Sequence, residues 1–151
     1  MTNEDLRDLA EKEQTRQAQF EHRILYCSSA GCVSSGCDAV KAEMKKAIEE
    51  LGLTKKCELI GTGCLGLCGE GPLVFVHSDP TLYQHVDAKV ARRIVEEHIG
   101  QGKKVTENEI DLNAPFFTSQ KKIVLENMGK INAESIEEYI AAGGYEALRR
   151  Y

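Results

Sequence analysis

The sequence predicts an α/β domain with the element order β-α-β-β-β-α. Three observations predict it. Apolar, strand-prone runs at 23–26, 56–62, 73–77 and 82–86 are bounded by turn residues. Apolar side chains recur at helical spacing in two stretches, 40–51 and 90–99. The first of these separates two strand-like runs, as a helical crossover would. Two or three packed layers follow from that order.

Residues 1–21 come first. They are polar and helix-prone, with Leu6, Leu9 and Phe20 the large apolar positions. So thin a stripe predicts an appended surface helix or arm. Arg23-Ile24-Leu25-Tyr26 is the first strand, ended by Cys27. Residues 28–37 form a Ser/Gly loop carrying Cys32 and Cys37. A helix is expected from Ser35, with Asp38 as its capping partner. Val40, Met44, Ile48 and Leu51 supply one apolar face, and Gly52 is the left-handed stop. Lys56 to Thr62 is the second strand, in which Cys57 reads as a small buried hydrophobe.

A glycine-rich loop follows, Gly61-Thr62-Gly63-Cys64-Leu65-Gly66-Leu67-Cys68-Gly69-Glu70-Gly71. Pro72 opens the third strand, 73–77. Ser78-Asp79-Pro80-Thr81 is a turn, and 82–86 returns as the second arm of a hairpin. Asp87 caps the last helix of the module, which Gly100 ends. The module spans residues 22–102.

Residues 103–115 read as a polar linker. A second apolar cluster starts at Phe116-Phe117 and continues through Ile123, Val124, Leu125 and Ile131. Asn132 is expected to cap a helix over 133–142, closed by Gly143-Gly144, and another helix begins at Tyr145. Two short helices and a loop cannot bury these side chains alone, so the tail 103–151 reads as the truncated start of a further domain.

Charge and cysteine usage narrow the function. The chain has 151 residues, a net charge of −5 and six cysteines. Without a basic stripe, nucleic acid and anionic membrane surfaces are poor partners. No apolar run approaches the roughly 20 residues of a membrane span. The first residues lack the features of a secretory signal, so a cytoplasmic location is expected. In a reducing compartment the cysteines read as metal ligands or reactive thiols rather than disulfides.

Four of them form two pairs. Cys27 and Cys32 are spaced Cys-x4-Cys, and Cys64 and Cys68 are spaced Cys-x3-Cys, with 31 residues between. Four thiolates on two loops suit a 2Fe–2S cluster or a structural zinc. Glycines let backbone N–H groups approach cluster sulfurs closely, which favours the cluster. Zinc more often takes Cys-x2-Cys knuckles and would give a non-redox, subunit-docking module. Cys37 shares the flexible loop of Cys32 and is the alternative to it. Gly61-x-Gly63-x-x-Gly66 matches a dinucleotide fingerprint, but a proline and a strand follow it where a helix is required. His22, His77, His85 and His98 show no paired spacing, and no hydrolytic constellation stands out.

Cys27-Ser28-Ser29-Ala30-Gly31-Cys32 followed by Gly63-Cys64-Leu65-Gly66-Leu67-Cys68-Gly69 resembles the thioredoxin-like 2Fe–2S ferredoxins. More narrowly, it resembles the version fused in front of the flavin-bearing, NADH-oxidising subunit of NAD(P)-linked iron hydrogenases and complex I-like enzymes. Phe116-Phe117-x3-Lys121-Lys122-Ile123-Val124-Leu125 and Ser135-Ile136-Glu137-Glu138-Tyr139-Ile140-Ala141-x-Gly143-Gly144-Tyr145 are similar to the entry segment of that subunit. The resemblance implies a thioredoxin-like fold and a 2Fe–2S cluster on Cys27, Cys32, Cys64 and Cys68. It also implies one-electron transfer between a parent flavin domain and other iron–sulfur or hydrogenase subunits. Independently of the resemblance, a second copy of the chain is a further candidate partner. FMN, NAD(P)H and a 4Fe–4S cluster would belong to the parent subunit. This chain alone would be an electron carrier.

Overall fold

The computed structural model describes residues 3–149. Its centre is a five-stranded sheet in the order β2-β1-β3-β4-β5, where β1 is His22–Cys27, β2 Cys57–Thr62, β3 Val74–Val76, β4 Thr81–Tyr83 and β5 Glu109–Ile110. β1 and β2 run parallel, and the other pairs are antiparallel. The parallel pair requires a crossover, supplied by α2 (Ala30–Ser34) and α3 (Cys37–Glu50). β3 and β4 form the expected hairpin.

Alternation along β1 sorts the two faces of the sheet. Ile24 and Tyr26 join Val40, Met44 and Ile48 of α3 in the main core. α4 (Ala88–Arg93), which continues as π-helical turns over Ile94–Ile99, packs on α3 and completes that layer. Arg23 faces the opposite way. Its Nη2 donates to Glu138 Oε2 at 2.8 Å and its Nε to Glu58 Oε2 at 2.8 Å. Arg16 also pairs with Glu58, so α1 (Asn3–Gln17) and α6 (Ile136–Ala141) are tied to this face.

Several boundaries differ from the sequence reading, each for a local reason. Ser35 does not cap α3, because its hydroxyl donates to the Gly31 carbonyl at 2.9 Å. Gly36 opens the helix instead, with a left-handed φ of 95°. The left-handed stop after α4 is Gly102 at φ 70°, while Gly100 keeps a helical backbone. Asn132 accepts from the Glu134 N–H, so the cap of α6 falls to Ser135, whose Oγ accepts from the Glu138 N–H at 3.1 Å. Gly52 and Asp87 act as expected: Gly52 has φ 66°, and Asp87 Oδ1 accepts from the Val90 N–H at 2.8 Å.

The ends of the chain depart further. The polar stretch after residue 102 is not a free linker, since it contributes β5 to the sheet. Nor is α1 a lone arm. It packs against α6, with Leu6 and Ile140 both buried. A thin apolar stripe suffices because the partner helix α6 has only six residues to cover. Past β5 come α5 (Pro115–Thr118), α6 and α7 (Glu146–Arg149). The apolar residues Phe116, Ile123, Val124 and Leu148 stay exposed, Val124 at 91%. No helix among the described residues is long and apolar enough to cross a membrane.

Candidate metal centre

The site lies where β1 and β2 end. Cys27 is the last residue of β1 and stands opposite Thr62 in β2. Its N–H donates to the Leu73 carbonyl at 3.0 Å. Ser28 donates to the Thr62 carbonyl through both its N–H, at 3.0 Å, and its hydroxyl, at 2.9 Å. The turn after β1 is thereby fixed on β2. Cys32 follows on α2, almost fully buried, with Cys27 among its neighbours.

The second pair sits on the glycine loop. Cys64 is half-buried and Cys68 exposed, with their sulfurs 4.0 Å apart. The Gly66 N–H donates to Cys64 Sγ at 3.4 Å, from a backbone with φ 86° that favours glycine. Two other glycines bring the pairs together. A Cβ on Gly71 would lie 3.0 Å from Cys32 Sγ, and one on Gly31 would lie 3.1 Å from Cys68 Sγ. Any side chain there would crowd a sulfur.

Burial pushes the Cys32 thiol up to about 12, and Cys27 and Cys68 reinforce the shift. The Cys68 thiol is raised mainly by its hydrogen bond to Cys64.

Cys37 and Cys57 stand apart. Cys37, the first residue of α3, is raised by burial and then by Asp38 and Cys27, and it lines a cavity of about 780 Å³ with Tyr26, Ser28 and Lys41. Neither Cys64 nor Cys68 borders that cavity. Cys57 stands opposite His22 at the other end of the strand pair, roughly 16 Å from Thr62 at the usual rise per residue. Burial pushes its thiol up to about 11. Among the described residues no three His, Cys, Asp or Glu side chains converge as a single-ion site. The sulfurs form two pairs, and a two-iron centre takes two thiolates per iron.

Residues 13–98 match the family of thioredoxin-like 2Fe–2S ferredoxins. The chain belongs to this family. A Priestia megaterium protein carrying a 2Fe–2S ferredoxin name is 31% identical over 118 residues, covering 76% of this chain and 91% of its own. A 2Fe–2S ferredoxin of Clostridium pasteurianum is 28% identical over 98 residues, covering 60% and 96%. The crystal structure of the thioredoxin-like 2Fe–2S ferredoxin from Aquifex aeolicus superposes with a TM-score of 0.55 at 24% identity, covering 62% of this chain and 98% of that one. That superposition confirms the thioredoxin-like fold.

The cofactor of this ferredoxin is thus a 2Fe–2S cluster, and its role is that of an electron carrier. The donor set fits the group, with four thiols in two pairs and glycines where a Cβ would fill the space between them. Sequence reasoning did not find Thr62, which joins the two loops, or the role of Gly31 at Cys68. A threonine ending a strand carries no local signal of such contacts.

Proposed function

We propose that Cys27, Cys32, Cys64 and Cys68 hold the 2Fe–2S cluster, and that the chain relays single electrons as a module of an NAD(P)H-linked flavoprotein oxidoreductase of hydrogenase or complex I type. The observation that carries the ligand set is the meeting of two sulfur pairs across Gly31 and Gly71 at one end of the sheet. When bound, the cluster supplies a reversible one-electron couple, on the order of −400 mV for all-cysteine ligation. The chain's own work is to hold and orient. Gly66 aims an N–H at Cys64 Sγ, where hydrogen bonding to sulfur tunes the couple. Buried Cys32 anchors the inner side, and exposed Cys68 offers the outer side to a partner.

The flavoprotein context is supported by the tail. Phe116, Ile123, Val124 and Leu148 are exposed apolar side chains in the segment similar to the entry of a flavin subunit, and such side chains favour a covering partner. The deciding measurement is the visible spectrum of anaerobically purified protein, with iron, sulfide and zinc assayed together. About two irons and two sulfides per chain, bleached by dithionite, are expected. One zinc and no colour would overturn the relay in favour of a docking module. Reduction by NAD(P)H only when the flavin subunit is added tests the context. Reduction without it, or none with it, would overturn that part.

A further inference from the structure

Three contacts bring the chain beyond residue 124 back onto the glycine loop. Thr62 is fully buried, two residues before Cys64. Its hydroxyl accepts from the Gly129 N–H at 2.9 Å and donates to the Ile131 carbonyl at 2.9 Å. Its own carbonyl takes both donors of Ser28. One residue therefore joins the Cys27 turn, the Cys64 loop and the tail. Next to it, Met128 Sδ occupies the space that a Cβ on Gly63 would need. Finally, Gly129 has φ 83°, and a Cβ there would lie 2.9 Å from Leu65 Cδ2.

The two neighbours of Cys64 are thus each covered by a tail residue, Gly63 by Met128 and Leu65 by Gly129. The surroundings are mainly apolar. Leu65, Phe75, Leu82, Leu112, Phe117 and Met128 line a small cavity of about 160 Å³ on this side, and Gly129 with the solvent-exposed Lys122 and Lys130 completes the lining. Cys68 is exposed. The family match ends at residue 98, so this cover is built from sequence outside it.

We infer that residues 125–131 form a strap that holds the Cys64 loop and screens that side of the cluster from water, with Thr62 and Met128 as its positioning residues. The inference rests on Cys64 being a ligand. An apolar shell controls solvent access and local dielectric at a metal centre, and through them its potential. Reduction adds negative charge, and a dry, apolar flank disfavours it. The strap therefore lowers the midpoint potential and directs exchange toward Cys68.

The test uses the whole chain with its cluster, and the variants Thr62→Val, Met128→Ala and Met128→Leu. The Gly129 amide should exchange slowly with deuterium in the parent protein and at least ten-fold faster in Thr62→Val. The midpoint potential should shift positive in Thr62→Val and in Met128→Ala. Bleaching of the visible bands by ferricyanide should quicken several-fold in Met128→Ala and return to the parent rate in Met128→Leu. Unchanged potentials and bleaching in both Thr62→Val and Met128→Ala would overturn the inference, as would an unprotected Gly129 amide in the loaded parent protein. A parent protein that takes up no iron would instead overturn the ligand assignment and the inference with it.

Discussion

Cys27 stands directly opposite Thr62 across the parallel β1–β2 pair, and Cys57 stands opposite His22 at the far end of the same pair. One strand pair thus separates a cysteine of the site from a cysteine of the core. Registration of two six-residue strands sets that separation. A slip by one residue would also turn every side chain of the slipped strand to the other face.

Cys32 and Cys37 should respond differently to replacement by serine. Cys32 lies beside Cys27 and Cys68, whereas Cys37 lines a cavity bordered by neither Cys64 nor Cys68. Cys32→Ser should lose most of the visible absorbance and bound iron. Cys37→Ser should keep both. The opposite pattern, read by iron and sulfide assay on the two purified variants, would reverse the assignment.

Gly71→Ala places a methyl group 3.0 Å from Cys32 Sγ. The Gly71 backbone is extended, so the substitution adds no φ strain. The sulfur must yield by a few tenths of an ångström. Iron per chain should fall, and the cluster bands should shift, while the thermal midpoint of the metal-free protein stays close to the parent value. An unchanged spectrum at full iron content would show that the gap between Gly71 and Cys32 is not needed.

Tyr83 closes a buried hydrogen-bond chain away from the cysteines. Its hydroxyl accepts from the Val105 N–H at 3.3 Å and donates to His98 Nδ1 at 2.8 Å, and His98 Nε2 donates to Asp79 at 3.1 Å. Tyr83→Phe leaves the buried Val105 N–H without this acceptor, at a cost of about 1–3 kcal/mol, measurable by urea unfolding at neutral pH. Burial pushes the Tyr83 phenol up from 10 to about 12. Its folded value exceeds its unfolded one. The stabilisation it brings is complete below 10 and is lost as pH rises through 10 toward 12. Tyr83→Phe should remove that alkaline component.

The ion network under α1 and α6 predicts an acid response. The Arg16 guanidinium hydrogen-bonds Glu13 and holds its carboxyl below the ordinary 4.5. A depressed carboxylate stabilises the fold above its unfolded value, and that contribution is lost as pH falls from 4.5 through the folded value. Amides of α1 should lose deuterium-exchange protection over that window before those of β1 do. Arg23→Met removes the partner of Glu138, which is 2% exposed, and of Glu58. Removing one partner of a buried pair costs about 3–5 kcal/mol, and Arg16, which also reaches Glu138 at 3.6 Å, keeps the loss toward the lower figure. Urea unfolding checks it.

Local signals explain how far the sequence could be read. Val40, Met44 and Ile48 mark α3 by spacing alone, and Gly52 and Asp87 mark helix ends through their own backbone and side-chain chemistry. Ser35 and Asn132 carry the same capping signal, yet their side chains are spent on Gly31, four residues back, and on Glu134, two residues on. β5 has only two residues and no apolar alternation of its own. It is a strand because β4 offers it an edge.

By itself the sequence determined the α/β order, the placement of cysteine pairs at strand ends and the glycine loop that brings backbone close to sulfur. These depend on periodicity, turn residues and spacing, which are properties of neighbours in the chain. Tertiary structure alone decided that Cys32 rather than Cys37 lies near Cys68, that Arg23 binds α6 to the sheet, and that Gly129 and Met128 fold over the Cys64 loop. Each is a contact between residues far apart in the chain, selected by packing and by the pairing of buried polar groups, and no short stretch of sequence encodes it.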